Sequence, residues 1–169
     1  IPQRFGISGG VISAVDLVRG IGKSAGLEVI EVPDITGYLD TNFEGKAEYA
    51  LAALTQGDFV YVHVEAPDEA GHNGDVQAKV KAIEDFDGRV VAPILAGLDR
   101  IGPCRILMAP DHRTPLALRT HSRDPVPFVL WGTDAEPDAM VAYGEKPAEQ
   151  GSMQVGHGHL LMQYLMAND

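Results

Sequence analysis

The residues best suited to chemistry fall in three short stretches. Ala66-Pro67-Asp68-Glu69-Ala70-Gly71-His72 sets an aspartate four positions before a histidine, Pro110-Asp111-His112 sets the same pair side by side, and Thr120-His121-Ser122 holds a third histidine. In a tight turn Asp68 and His72 can face one ion, and Asp111 and His112 can do likewise where the backbone bends sharply. Neutral imidazole with carboxylate is a donor set for Zn²⁺ or Mn²⁺, and geometry rather than raw affinity decides between them. Taken singly, each stretch has an ordinary explanation: Asp as a turn residue, His112 as a solvated side chain, His121 as a helix or turn cap. Their conjunction is the stronger signal. All three lie beside expected strands, on what would be one rim of a single sheet, where open α/β sheets bind ligands.

Other residues divide between chemistry and structure. Lys46 opens an expected helix after Asp40-Thr41-Asn42, where it can meet a phosphate at the helix N-terminus or simply be solvated. His63 sits inside an expected strand, which points to a hydrogen-bonded core histidine. His157 and His159 resemble a chelate, but they precede a helix carrying Leu160, Leu161 and Leu165 and are read as structural. Gly6, Gly9 and Gly10 have the wrong spacing for a dinucleotide fingerprint, and neither a Gly-x-Ser-x-Gly elbow nor a P-loop is present.

These side chains need a frame, and the hydrophobic pattern supplies one. Val11, Ile12, Val15, Val18 and Ile21 recur at helical spacing, predicting an amphipathic helix that ends between Gly20 and Gly26. Leu27–Val32 reads as a strand, Pro33–Asn42 as a loop and Glu44–Gln56 as a helix. Phe59–Val64 is a continuous apolar run, as in a strand buried on both faces of a parallel sheet. Asp75–Leu98 reads as a long helix that Pro93 should kink or divide. Arg105–Ala109 and Val126–Trp131 are further strands, Gly132–Ser152 a solvated loop, and Leu160–Ala167 a last helix. Strands separated by helices predict an α/β fold with a largely parallel sheet flanked by helices, and residues 1–169 read as part of one core domain.

The chain has 169 residues, with 13 Lys+Arg against 24 Asp+Glu and a formal net charge of −11. That acid excess argues against nucleic acid, whose phosphates draw on clustered Lys and Arg. An apolar fraction of 45% with 22% charged residues is globular composition. The apolar runs are too short to span a bilayer, so no membrane is expected as a partner. No basic segment followed by an apolar one opens the chain, and Cys104 is alone, which together fit a cytoplasmic protein in a reducing compartment. The opening Ile1-Pro2-Gln3, without an initiator Met, fits a processed product, an excised domain or a fragment.

Ordered motifs then make the chain recognisable. Tyr61–Asp75 (YVHVEAPDEAGHNGD), Lys79–Asp87 (KVKAIEDFD), Pro110–Pro115 (PDHRTP) and Thr120–Pro127 (THSRDPVP), with Asp16–Gly22 and Thr36–Asn42, resemble the archaeal-type cofactor-independent phosphoglycerate mutases, a branch also found in bacteria, within the alkaline phosphatase superfamily. The likeness is strong to about Trp131 and looser beyond. It implies the C-terminal part of an alkaline phosphatase-like core and a site for two divalent metal ions, Mn²⁺ or Zn²⁺ first, with Mg²⁺ or Co²⁺ as further candidates. Asp68, His72 and His121 would match ligands of one ion, and Asp111 and His112 part of the other's shell. A Ser nucleophile would pass the phosphoryl group between 3-phosphoglycerate and 2-phosphoglycerate.

That Ser and a further metal-binding Asp belong near the N-terminus of the longer family members. Neither motif occurs here, and Ser8, Ser13 and Ser24 lack the context. No catalytic residue is assigned, and the chain alone is expected to be inactive, with the missing N-terminal part as its partner. Arg113 follows the ligands where Pro or Gly is more usual; it either contacts phosphate or decorates the loop. Two alternatives stay open: a superfamily phosphatase or phosphonate-processing enzyme with the same site residues, and a non-catalytic, truncated metal-binding domain.

Overall fold

The computed structural model describes residues 1–133 and 135–166. The chain divides into two compact units, one formed by Ile1–Gly102 with Thr114–Thr120, the other by Pro103–Arg113 with His121–Asp169. In chain order the first unit begins with a short helix α1 (Pro2–Phe5), strand β1 (Gly9–Ile12), helix α2 (Asp16–Ser24) and strand β2 (Glu28–Val29). Helix α3 (Phe43–Leu54), strand β3 (Phe59–Val62), helix α4 (Ala66–Asn73), helix α5 (Val76–Phe86) and helix α6 (Ala92–Gly97) complete it.

The sheet of the first unit is parallel throughout, in the order β2-β1-β3. Parallel neighbours need crossover connections, which α2 and α3 provide. The pattern from Val11 to Ile21 is therefore two elements rather than one helix. Val11 and Ile12 are buried in the central strand, and only Asp16–Ser24 is helical. A central strand covered on both faces shows no alternation, so its apolar pair merged with the helical spacing that follows. The expectation for Phe59–Val64 is corrected in the opposite sense. β3 lies at the sheet's edge, and Tyr61 is exposed.

Helix α3 carries the core. Phe43, Ala47 and Ala50 line one face and are buried; Phe43 and Ala47 pack with Ala66, Ala82 and Val90, while Ala50 packs with Ile12 and Val32. Small alanines let this helix approach closely, and Phe43 supplies the volume; burying such a ring contributes about 1.5–3 kcal/mol. Asn42 caps the helix, its Oδ1 accepting from the Gly45 N–H at 2.8 Å. At the same end Glu44 accepts two hydrogen bonds from Arg89, Nε at 2.5 Å and Nη2 at 2.8 Å, and the Arg89 guanidinium stands 4.9 Å over the Phe43 ring. Arg89 holds the Glu44 carboxyl below its ordinary pKa by this pairing.

Pro93 does divide the long helical stretch. Between α5 and α6 lies a wide π-helical turn, Asp87–Val91, in which the Ala92 N–H reaches back to the Asp87 carbonyl. Pro93 has no N–H and falls in the first turn of α6, where none is required.

The second unit is described by itself. Strands β4 (Arg105–Met108) and β5 (Val129–Gly132) pair antiparallel, from Arg105 opposite Gly132 to Met108 opposite Val129. This corrects the expectation that both would extend one parallel sheet: they form a separate two-stranded sheet. The expected loop from Gly132 to Ser152 is largely irregular, with a short helix α7 (Glu145–Ala148). Asp138 organises part of it, accepting from the backbone of Met140 and Ser152 and from the Ser152 hydroxyl, and these bonds hold its carboxyl below the ordinary range. The last helix is α8 (Leu161–Met166), entered through a 3₁₀ turn at Gly158–Leu160. Asp134 and Ala167, at the edges of two sequence expectations, lie outside the described residues.

Candidate functional site

In the first unit the donors are carried by α4, a helix where a turn was expected. Its signals are local. Pro67 stands in the first turn, where its missing N–H costs nothing, and Asp68 and Glu69 lie at the positive end of the helix dipole. Gly74 ends the helix in the left-handed region at φ 69°. A helix places residues four apart on one face, so Asp68 and His72 meet by geometry rather than by a loop's bend. His72 Nε2 lies 3.3 Å from Asp68 Oδ2.

The other atoms of this pair are already engaged. His72 Nδ1 lies 3.0 Å from the Arg119 carbonyl oxygen. A carbonyl can only accept, so Nδ1 carries the proton, and in the neutral ring Nε2 presents its lone pair toward Asp68. The Thr114 hydroxyl donates to Asp68 Oδ1. Thr114 is itself buried, and its carbonyl accepts from Lys79 Nζ at 2.6 Å. A lone pair facing a carboxylate oxygen at 3.3 Å is repulsive unless a proton or a cation lies between them. The donor chemistry thus fits a divalent ion.

Backbone geometry supports the same contacts. The turn from Pro115 to Arg119 closes with the Leu118 and Arg119 N–H groups donating to the Pro115 carbonyl. Arg119 adopts φ 52°, a left-handed conformation that costs a non-glycine residue on the order of 1–3 kcal/mol. Its guanidinium rests on Gly74, where a Cβ would come within 2.5 Å of Arg119 Nε. Gly71 likewise admits Thr114, whose carbonyl oxygen would lie 2.7 Å from a Cβ there.

Around these donors the first unit is acidic. Glu65, Asp68 and Glu69 each offer a carboxylate oxygen, all within 4.8 Å of one another. A cleft lined by Val15, Thr36, Tyr38, Glu65, Glu69 and Asn73 borders them. Glu65 Oε2 also lies 3.7 Å from His63 Nδ1, and the buried Ser13 Oγ is 3.1 Å from that same nitrogen. His63 falls just after β3 rather than inside a strand, and is half-buried and hydrogen-bonded rather than a core residue. Lys46 is interior: it is 1% exposed, and its Nζ donates to the His63 carbonyl at 2.7 Å. Burial pushes the Lys46 ammonium down to about 8, with nearby Glu65 partly offsetting that shift.

The second unit assembles its donors differently. The chain pairs Arg113 with Ser122 in an isolated antiparallel bridge, the Ser122 N–H donating to the Arg113 carbonyl at 3.0 Å. That bridge aligns the two stretches, and the His112 and His121 rings stack at 3.6 Å between centroids with 27° between planes. The stack sets two imidazoles, a common type of metal ligand, side by side. Asp111 lies beside them, Oδ1 accepting from the His112 N–H at 3.0 Å and Oδ2 3.4 Å from His112 Nε2. Arg113 Nε donates to the Pro125 carbonyl at 2.6 Å, which ties this side chain to the loop. His157 and His159 stack on each other at 5.7 Å beside the 3₁₀ turn.

Within the first unit Asp68 and His72 come together, and within the second Asp111 lies beside His112, whose ring stacks on His121; His121, which the resemblance grouped with Asp68 and His72, belongs to the second unit. Sequence reasoning missed Thr114, the Arg119 carbonyl, Glu65 and Glu69. Glu65 and Glu69 stand four apart on either side of Asp68 and were legible had the Pro–Asp–Glu start and the Gly stop been taken as a helix. Thr114 and Arg119 carry no local signal, since their partners are distant in the chain.

Comparison with known proteins adds an independent finding. The sequence profile of the metalloenzyme superfamily matches residues 1–168. A probable 2,3-bisphosphoglycerate-independent phosphoglycerate mutase of Geobacter sulfurreducens is 56% identical over 165 residues, covering 97% of this chain and 41% of the relative. A 2,3-bisphosphoglycerate-independent phosphoglycerate mutase of Methanosarcina acetivorans is 56% identical over 153 residues, covering 89% of this chain and 38% of the relative. Among solved structures, a protein of Pyrococcus horikoshii superposes with a TM-score of 0.88 at 30% identity, covering 98% of this chain and 43% of that one. The chain therefore spans about two fifths of the length of the relatives it matches.

Proposed function

The chain belongs to the metalloenzyme superfamily, and on that premise we propose that it is the metal-binding portion of a 2,3-bisphosphoglycerate-independent phosphoglycerate mutase, interconverting 3-phosphoglycerate and 2-phosphoglycerate. What carries the reading is a coincidence in one chain: an oriented Asp68–His72 pair within a sequence 56% identical to a relative bearing that name. Asp68, His72, Asp111, His112 and His121 are the proposed ligands of two divalent ions, with Mn²⁺ or Zn²⁺ suited to mixed imidazole and carboxylate donors. When bound, such ions supply positive charge for the phosphoryl oxygens and lower the pKa of an attacking hydroxyl. A cytoplasmic setting goes with this role and with the single Cys104. Among the described residues no helix is long and apolar enough to cross a membrane.

The chain's own residues hold and orient. Asp68 and the ring of His72 offer adjacent oxygen and nitrogen donors on one helix face. The stacked His112 and His121 offer imidazole nitrogens in the other unit, with Asp111 alongside. Lys46 has no part in phosphate binding in this reading, because its ammonium is buried against the His63 carbonyl. Arg113 is retained as a substrate contact, anchored through Nε to the Pro125 carbonyl. The acidic balance of −11 makes the metal ions the main source of positive charge for a phosphorylated substrate.

The test supplies 3-phosphoglycerate and Mn²⁺, without bisphosphoglycerate, to the protein at its full natural length. Formation of 2-phosphoglycerate supports the reading. Release of inorganic phosphate alone would assign a phosphatase instead.

A further inference from the structure

The segment Thr114–Thr120 enters the first unit and makes two directed contacts there. Thr114 Oγ1 donates to Asp68 Oδ1, and the Arg119 carbonyl accepts from His72 Nδ1 at 3.0 Å. These are the atoms of each donor that do not face the other donor. The residues at both ends of the segment are held in turn. Lys79 Nζ binds the Thr114 carbonyl at 2.6 Å, and Gly71 leaves room for Thr114 to approach α4. Arg119 keeps φ 52° with its guanidinium packed on Gly74, and that backbone conformation is what aims its carbonyl at the imidazole.

We propose that Thr114–Thr120 is an orienting strap for the metal site, with Thr114 a positioning residue for Asp68 and the Arg119 carbonyl fixing the tautomer of His72. The inference rests on the reading of Asp68 and His72 as ligands. Its physical basis is that a ligand whose second atom is hydrogen-bonded is held in one orientation and, for an imidazole, one tautomer, so less freedom is lost when the ion binds. Removal of such an outer contact weakens metal binding by roughly 10–100-fold.

The experiment titrates the metal-free protein, at its full natural length, with Mn²⁺ and separately with Zn²⁺ by calorimetry. Asp68→Asn, Thr114→Val and Thr114→Ser are compared with the wild type. Valine keeps the shape of a buried threonine without the hydroxyl, and serine keeps the hydroxyl without the methyl. Thr114→Val is expected to weaken affinity by roughly 10–100-fold with an unchanged circular dichroism spectrum, and Thr114→Ser to bind within about threefold of wild type. In the metal-free protein the imidazole ¹⁵N spectrum should show His72 protonated at Nδ1. Wild-type affinity in Thr114→Val, or equal loss in the valine and serine variants, overturns the strap while Asp68→Asn still defines the site. Absence of metal binding by the wild type overturns the ligand reading and the strap with it.

Discussion

The two units present donors of the same chemistry on opposite kinds of support. In the first, Asp68 and His72 stand one turn apart on α4, each hydrogen-bonded to a residue more than forty positions away, and the Asp68 side chain is 24% exposed. In the second, Asp111, His112 and His121 sit on loop backbone joined by a single bridge, and the Asp111 side chain is 68% exposed. Helix geometry and two long-range hydrogen bonds set the first pair before any ion arrives. Ring stacking sets the second group, and its carboxylate is left to solvent. Similar residue types therefore differ in how much ordering is left for the ion to impose.

Variants can break or sharpen that contrast. The largest effect should come from the core beneath the helix-borne pair. Phe43→Ala is expected to cost about 3–5 kcal/mol in a urea melt followed by circular dichroism; a loss under 1 kcal/mol would show that α3 does not organise the first unit. Next, Asp68→Ala should weaken Mn²⁺ binding by at least about 100-fold, beyond the effect of an outer contact. Asp111→Ala should weaken it by no more than about tenfold, because a solvated carboxylate contributes less orientation. Equal losses in a paired calorimetric titration would remove the distinction between the two supports.

A smaller effect is tied to pH. The Lys46 ammonium is held near 8 in the folded protein, below its ordinary value of 10.5. Between those values the unfolded chain binds more protons than the folded one, so stability contributed by this residue rises with pH. Below pH 8 the buried charge costs the fold roughly 3 kcal/mol. In melts from pH 7 to 10.5, the stability of wild type relative to Lys46→Met should rise by about that amount. A flat difference would place the Lys46 ammonium in solvent. The smallest effect expected is that of His157→Ala, which should leave the metal content of the protein unchanged by elemental analysis.

How far the sequence predicted this arrangement depended on the range of the forces involved. Helix α3, the loop before it, strand β4 and the division at Pro93 were legible because caps, apolar spacing and a missing N–H act within a few residues. Strand β1 was not, since two-sided burial erases the alternation that marks a strand. Helix α4 was passed over although Pro67 and Gly74 bracket it, because the metal-type residues between them suggested a turn. The candidate metal donors themselves were legible by type. Their outer partners were not, because Asp68 and Thr114 are forty-six positions apart and only the fold brings them together.

The chain leaves the first unit at Pro103, returns for Thr114–Thr120 and leaves again at His121. The first unit is therefore not a contiguous stretch of gene. A recombination or truncation point anywhere between Gly102 and Thr114 would carry off Asp68 and His72 without the hydroxyl and carbonyl that hold them. Selection that keeps the helix pair oriented must keep the seven-residue return with it, so these two distant pieces of coding sequence are expected to be inherited as one.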